Sequence, residues 1–188
     1  MNQPELLTRL MQGDHSVFPE LVEQSKDMVY NTALGILLNE QDAEDITQEV
    51  FITLFEKIGD FRGDSKLSTW LYKITIRKAF DVEKKKKRQK NGGLFKKIFL
   101  TKEEVEPAVF EHPGVLLDQK ENAALLFGAI RKLPDQQRIA FTLQKLEGLS
   151  NPEIATVMNI SLSAAESLQK RAKENLRKFL SDYYEKYN

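Results

Sequence analysis

Apolar residues in this chain recur at steps of three and four. Ala43, Ile46, Val50, Leu54 and Ile58 step by 3, 4, 4 and 4, and Phe51 and Phe55 widen the stripe. A strand would need alternation at every second residue, and that signal is weak throughout. The same helical spacing runs through Phe18, Leu21, Val22, Val29, Ala33, Leu34 and Leu37. It returns in Ala165, Leu168, Ala172, Leu176 and Phe179, which step by 3, 4, 4 and 3. The expected fold class is therefore all-α.

End signals divide these stripes into elements. Asn39 offers an N-cap, and Asp42, Glu44 and Asp45 suit the positive end of the helix it opens. Gly59-Asp60 closes that helix. Phe61-Arg62-Gly63-Asp64-Ser65 reads as a loop, and a third long helix is expected from about Lys66 to Lys90. Gly92-Gly93 is expected to break it. Further helices are expected over Ala123–Leu133, closed by Pro134, and over Asp135–Leu146, ended by Gly148. Ser150-Asn151-Pro152-Glu153 has capping-box spacing with Pro in the first turn. The short helix it opens, Asn151–Met158, should stop at Asn159, a residue that tolerates the left-handed conformation. Ser163-Ala164-Ala165-Glu166 reads as a second capping box, opening a helix of about 15 residues. A short helix, a tight turn and a second capped helix form a helix-turn-helix layout.

The expected organisation is two small helical domains, 1–90 and 118–188, joined by a flexible linker over 91–117 that holds Pro107 and Pro113. The second domain contains the helix-turn-helix. The linker also carries Leu94, Phe95, Ile98, Phe99 and Leu100, so a plain tether and a segment that docks on a partner both fit.

Charge locates the candidate surfaces. The 28 basic and 28 acidic residues cancel overall, which alone would argue against nucleic acid. They are segregated along the chain. Residues 1–60 hold 12 acidic and 3 basic side chains; residues 61–102 hold 3 acidic and 14 basic. Residues 103–128 return to net −5 and residues 129–188 to net +3. With a Debye length of about 8 Å these blocks act as separate surfaces.

On the third helix, Lys66, Lys73, Arg77, Lys84 and Arg88 fall within an arc of roughly 60° at 100° per residue, opposite Leu67, Leu71, Ile74 and Ala79. Cations one or two turns apart can follow a phosphate backbone. Trp70 lies beside that stripe, where an aromatic can stack on an unpaired base; it would equally serve as a core residue, and the lysines as a solvated face. On the last helix, Ser163, Ser167, Lys170, Arg171, Lys173 and Arg177 share the face away from the apolar stripe. In a helix-turn-helix, early residues of the second helix reach base edges and later cations reach phosphates. A plain amphipathic hairpin would show the same stripe. The helix Asp42–Ile58 has the opposite character: Asp45, Glu49 and Glu56 lie along one side with Gln48 and Ile52 adjacent. That face is either solvated or meets a basic protein surface.

Other chemistry is poorly supported. The absence of Cys removes disulfides, thiol nucleophiles and Cys-based metal centres. His15 and His112 lie far apart with no second ligand in a recognisable spacing, so they read as surface residues and no metal or cofactor is expected. No Walker loop, GxGxxG, HExxH or GxSxG occurs, and no enzyme activity is expected. Without a signal-peptide pattern or an apolar run of about 18 residues, membrane insertion is not expected and the expected location is cytoplasmic.

Two sets of motifs carry a resemblance. The first is Asp42-Ala43-Glu44-Asp45-Ile46-Thr47-Gln48-Glu49-Val50-Phe51, with Phe61-Arg62-Gly63-Asp64-Ser65 and Thr69-Trp70-Leu71-Tyr72-Lys73-Ile74. It resembles region 2 of bacterial sigma-70 family factors, and among them the short extracytoplasmic-function (ECF) type. The second is Leu133-Pro134-Asp135-Gln136-Gln137-Arg138, Glu147-Gly148-Leu149-Ser150, Glu153-Ile154-Ala155 and Ser163-Ala164-Ala165-Glu166-Ser167-Leu168. It resembles region 4 of the same group. The resemblance covers about residues 15–90 and 118–180. Departures fall at Arg77, near which many relatives carry Asn, and at Ala165, where Val is commoner.

The resemblance implies a factor that lends promoter recognition and strand opening to RNA polymerase. It implies core polymerase binding by Asp45, Gln48, Glu49, Ile52 and Glu56. It implies −10 element contacts by Arg62, Lys66, Thr69, Trp70, Lys73, Arg77 and Lys84. It implies −35 element contacts by Ser163, Ser167, Lys170, Arg171, Lys173 and Arg177. The partners it implies are core RNA polymerase, promoter DNA and an anti-sigma factor. The rival reading from the second half alone is a stand-alone helix-turn-helix regulator, which would bind duplex DNA tightly without polymerase.

Overall fold

The computed structural model describes residues 3–61, 63, 65–93 and 125–187. Within them every regular element is a helix: α1 Gln3–Met11, α2 Phe18–Leu37, α3 Glu40–Lys57, α4 Leu67–Gly93, α5 over 125–131, α6 Asp135–Lys145, α7 Asn151–Met158 and α8 Leu162–Tyr187. Two short 3-10 turns, His15–Val17 and Ile58–Asp60, join the early helices. The all-α expectation holds. Most of the 91–117 segment, with its apolar residues, and the expected start of the second half at Asp118 lie outside the described residues.

The helix boundaries follow their caps. The Asn39 side chain accepts from the Asp42 N–H at 2.9 Å and opens α3. Ala43, Val50 and Leu54 are fully buried and Ile46 and Ile58 nearly so, as their spacing requires. Ser150 and Glu153 form the expected capping box at α7, and Asn159 ends that helix in the left-handed conformation at φ 55°. Gly148, at φ 68°, supplies the turn after α6 that a side chain would strain.

Helix α4 ends on the Gly92-Gly93 pair, as expected. Two expectations are corrected. The cap of α8 is Ser161 and the box at Ser163 does not form. The Ser161 hydroxyl accepts from the Ala164 N–H at 3.2 Å, which places Ser163 inside the first turn. The α8 helix is also far longer than expected, 26 residues.

The main core joins both halves of the chain. Leu21, Val50, Leu54 and Leu71 from the first half belong to one buried cluster with Ile139, Leu143 and Ile154 from the second. At about 25 cal/mol per Å2 of apolar surface removed from water, this shared burial is a major source of cohesion. A smaller cluster forms where Leu38, at the end of α2, packs on Ala129, Ile130 and Leu133.

Candidate functional site

Helix α3 presents a mixed acidic and apolar face. Asp45, Gln48, Glu49, Ile52 and Glu56 are all exposed, as their side of the helix requires. Ile52 is 57% exposed. Glu49 is ion-paired with Lys78 of α4 at 3.0 Å, which ties this face to the neighbouring helix. Phe55 departs from the expected buried stripe and is 44% exposed. Its ring meets those of His15 at 5.0 Å and Phe18 at 5.1 Å, which hold it at the surface beside Ile52. The sequence signal for this is the position of Phe55, three residues after Ile52 on the same side of the helix.

Helix α4 separates its two faces as the wheel requires. Leu67, Leu71 and Ala79 are buried, while Lys66, Lys73, Arg77, Lys84 and Arg88 are exposed. Thr69 is half-buried beside them. Trp70 is half-buried, and its ring lies 5.4 Å from Phe61 at a 49° tilt. Its two readings therefore meet in one residue: one part packs on the core and another borders the basic face. Arg62 lies outside the described residues.

Helix α8 buries Ala165, Ala172 and Leu176 and exposes Ser163, Ser167, Lys170, Arg171, Lys173 and Arg177. Lys170 approaches Glu174 only at 4.0 Å, an exposed pair of little energetic weight. The six candidate side chains thus share an open, cationic surface along the second helix of the helix-turn-helix.

The surfaces of α4 and α7 face one another. Lys66, Thr69 and Tyr72 line one wall of a cleft of about 400 Å3 whose other wall is Pro152, Glu153 and Thr156. Lys73 and Arg77 line a second, of about 210 Å3, opposite Gln136 and Met158. The Lys66 ammonium is 3.7 Å from Glu153. The Glu153 carboxyl is held below the usual carboxylate range, first by the Ser150 backbone N–H and hydroxyl and then by Lys66.

These elements agree with what known proteins share. The model of sigma-70 region 2 matches residues 21–89, and that of sigma-70 region 4 matches residues 124–176. The RNA polymerase sigma-H factor of Pseudomonas aeruginosa is 32% identical over 183 residues, covering 94% of this chain and 92% of its own. The chain belongs to the sigma-70 family of RNA polymerase sigma factors. The ECF RNA polymerase sigma factor SigW of Bacillus subtilis is 31% identical, covering 94% of this chain and 95% of its own. The ECF sigma-E factor of Escherichia coli is 31% identical over 90% of this chain and 89% of its own. The sigma factor fold is also that of CnrH, solved with the cytosolic domain of CnrY, at a TM-score of 0.69 and 21% identity over 94% of this chain and 96% of that one. A second, RpoE of Bartonella quintana solved with the anti-sigma factor NepR, gives a TM-score of 0.67 at 21% identity over 87% of this chain and 96% of that one. Both family matches occur in the order the motifs require, and the chain is a transcription initiation factor of the ECF type. No helix among the described residues is long and apolar enough to cross a membrane.

Proposed function

We propose how this sigma factor divides its work along the chain. Residues 1–90 form the polymerase-binding and −10 unit, 91–117 connect, and 118–188 form the −35 unit. The observation that carries this is the pair of opposed faces in a chain of zero net charge. Acidic Asp45, Glu49 and Glu56 with Gln48 and the exposed apolar Ile52 and Phe55 lie on α3; Lys66, Lys73, Arg77 and Lys84 lie on α4.

An acidic face with an apolar centre suits a basic protein surface and repels DNA. In our reading it docks on core polymerase. The α4 cations follow the phosphates of the −10 element, Thr69 contacts it, Trp70 stacks on an unpaired base, and Arg62, shortly before α4 in the sequence, assists. On α8, Ser163 and Ser167 reach −35 base edges while Lys170, Arg171, Lys173 and Arg177 neutralise phosphates. The factor supplies no chemistry of its own: the polymerase catalyses, and no cofactor is needed. It works in the cytoplasm. An anti-sigma factor regulates it, a reading supported by the complex of Bartonella quintana RpoE with the anti-sigma factor NepR.

The test is a comparison of promoter binding with and without core polymerase. In this reading the chain binds promoter DNA tightly only with polymerase, because its acidic blocks oppose its basic ones. Equally tight duplex binding without it would favour a stand-alone regulator.

A further inference from the structure

The run Lys84-Lys85-Lys86-Lys87-Arg88 carries more charge than the −10 assignment uses. At about 100° per residue, Lys86 falls nearly opposite Lys84 on α4. It borders a cleft of about 850 Å3 between the end of α2, the late turns of α4 and the start of α6. Lys86 and Lys87 line the cleft from α4, Arg131 and Lys132 from the end of α5 and the turn after it, and Arg138 from α6. Leu37, Leu38, Leu133 and Pro134 add an apolar part. None of the five cations belongs to the polymerase, −10 or −35 sets.

Two carboxylates also line the cleft, and both are already paired. Glu83 meets Arg138 at 2.9 Å and Lys87 at 3.5 Å; Asp135 meets Lys87 at 3.1 Å and Arg138 at 3.3 Å. Lys86 pairs with Asp42. A cationic surplus remains. Among the described residues Arg131 donates only to a neutral group, the Leu38 carbonyl, at 3.3 Å, and Lys132 meets only the Phe179 ring, at 5.7 Å. Arg138 is 4% exposed, and its Nε is buried with no hydrogen-bond partner among the described residues. A buried donor without an acceptor is costly, and an anion can supply the acceptor. Helix α6, 11 residues long, begins here with Pro134 at its N-cap and no side-chain cap. The Asp135 carboxylate is turned to Lys87 and Arg138 instead. The cleft therefore gathers two cations that no carboxylate neutralises, a buried guanidinium donor and the positive end of a helix.

We propose that this cleft binds a small molecule carrying at least two linked phosphates, of the size of a nucleoside diphosphate. Arg131, Lys132 and the α6 N-terminus hold its phosphate oxygens, and Leu37, Leu38 and Leu133 pack on the rest of it. The volume is that of a small-molecule site, apolar in part with a few convergent polar groups. A DNA duplex is convex and suits an open cationic face such as that of α8; a cleft walled by α2, α4 and α6 suits a compact anion. A ligand touching all three helices stabilises their packing by mass action. The site does not rest on the function proposed above.

Isothermal titration calorimetry of the full-length chain at physiological ionic strength tests this, with ADP, inorganic pyrophosphate and adenosine as probes. ADP should bind saturably, one per chain, and raise the melting temperature. Adenosine, which has no phosphate, should not bind. Pyrophosphate binding as tight as that of ADP would support a site for the linked phosphates alone; tighter ADP binding would support a site that also holds the nucleoside on its apolar wall. Arg131→Gln with Lys132→Gln should weaken ADP binding about tenfold or more. Lys86→Gln with Lys87→Gln, on the α4 wall, should weaken it too, so a folding defect in one pair does not decide the matter. Lys26→Gln with Lys145→Gln removes the same charge from exposed positions outside the cleft and should bind ADP as the parent does. No saturable binding of ADP or pyrophosphate at millimolar concentration would overturn the site. So would adenosine binding as tight as that of ADP, or a loss in the Lys26 and Lys145 pair equal to that in the cleft pairs. Neither DNA nor polymerase enters this titration, so its failure leaves the proposed function standing, and failure of transcription leaves the cleft standing.

Discussion

The hydroxyl of Tyr72 donates to Oε2 of Glu147 at 3.0 Å, bridging 75 positions of chain and joining α4 to the turn after α6. Burial pushes the Glu147 carboxyl above its usual range, and the Tyr72 hydrogen bond only partly offsets it. The protonated carboxyl is therefore the better tenant of this seam. A carboxyl raised on folding adds stability below its unfolded value near 4.5, and that stability is lost as pH rises through its raised value.

Glu147→Gln should isolate this effect. Gln keeps the acceptor for Tyr72 and cannot ionise. The melting temperature of Glu147→Gln minus that of the parent should grow more positive from pH 4 to pH 7. A difference that stays constant with pH, or moves the other way, contradicts the assignment.

The α3 face should behave as a protein-docking surface. Ile52→Lys and Glu56→Lys should each weaken core polymerase binding by about tenfold or more, on the order of 1.4 kcal/mol. Their melting temperatures should stay near that of the parent, since both side chains are exposed. Competition for core polymerase against an unrelated sigma factor measures this. Unaltered competition by both variants would remove α3 from the interface.

Much of this face is legible in the sequence, and some is not. Ala43, Ile46, Val50, Leu54 and Ile58 announce the buried side of α3 because a helix repeats every 3.6 residues. Asn39 and Asn159 announce helix ends through their short amide side chains, and both are borne out. Phe55 lies at the flank of that stripe, on Ile52's side, an angle that leaves burial undecided, and its exposure depends on where His15 and Phe18 pack. Ser161 is hidden because Ser163-x-x-Glu166 mimics a capping box, and only backbone geometry tells the two serines apart. The approach of Gly35 to Thr142 joins residues 107 positions apart, and no local pattern encodes it.

The capping assignment has its own test. Ser161→Ala should destabilise the second half by about 1 kcal/mol, the usual worth of an N-cap side chain. Ser163→Ala should cost a few tenths at most, as at an exposed site. Chemical denaturation of both variants decides between them; the reverse order would restore Ser163 as the cap.

The α8 cations should act through phosphate charge. Lys173→Ala in the polymerase-bound factor should weaken promoter binding about equally across −35 sequences. It should also reduce the slope of log affinity against log salt by about 1. Ser163→Ala and Ser167→Ala should leave that slope alone and relax sequence preference. A salt slope unchanged by Lys173→Ala would place that side chain off the DNA.

The most direct measurement is run-off transcription with core polymerase on a pool of promoter fragments. The parent chain should give transcripts with defined start sites that core polymerase alone does not produce. Charge reversal at Lys73 and Arg77, both exposed, should abolish them while leaving the melting temperature unchanged. The absence of any promoter-dependent start with the folded parent chain would contradict its assignment as a promoter-reading, strand-opening factor.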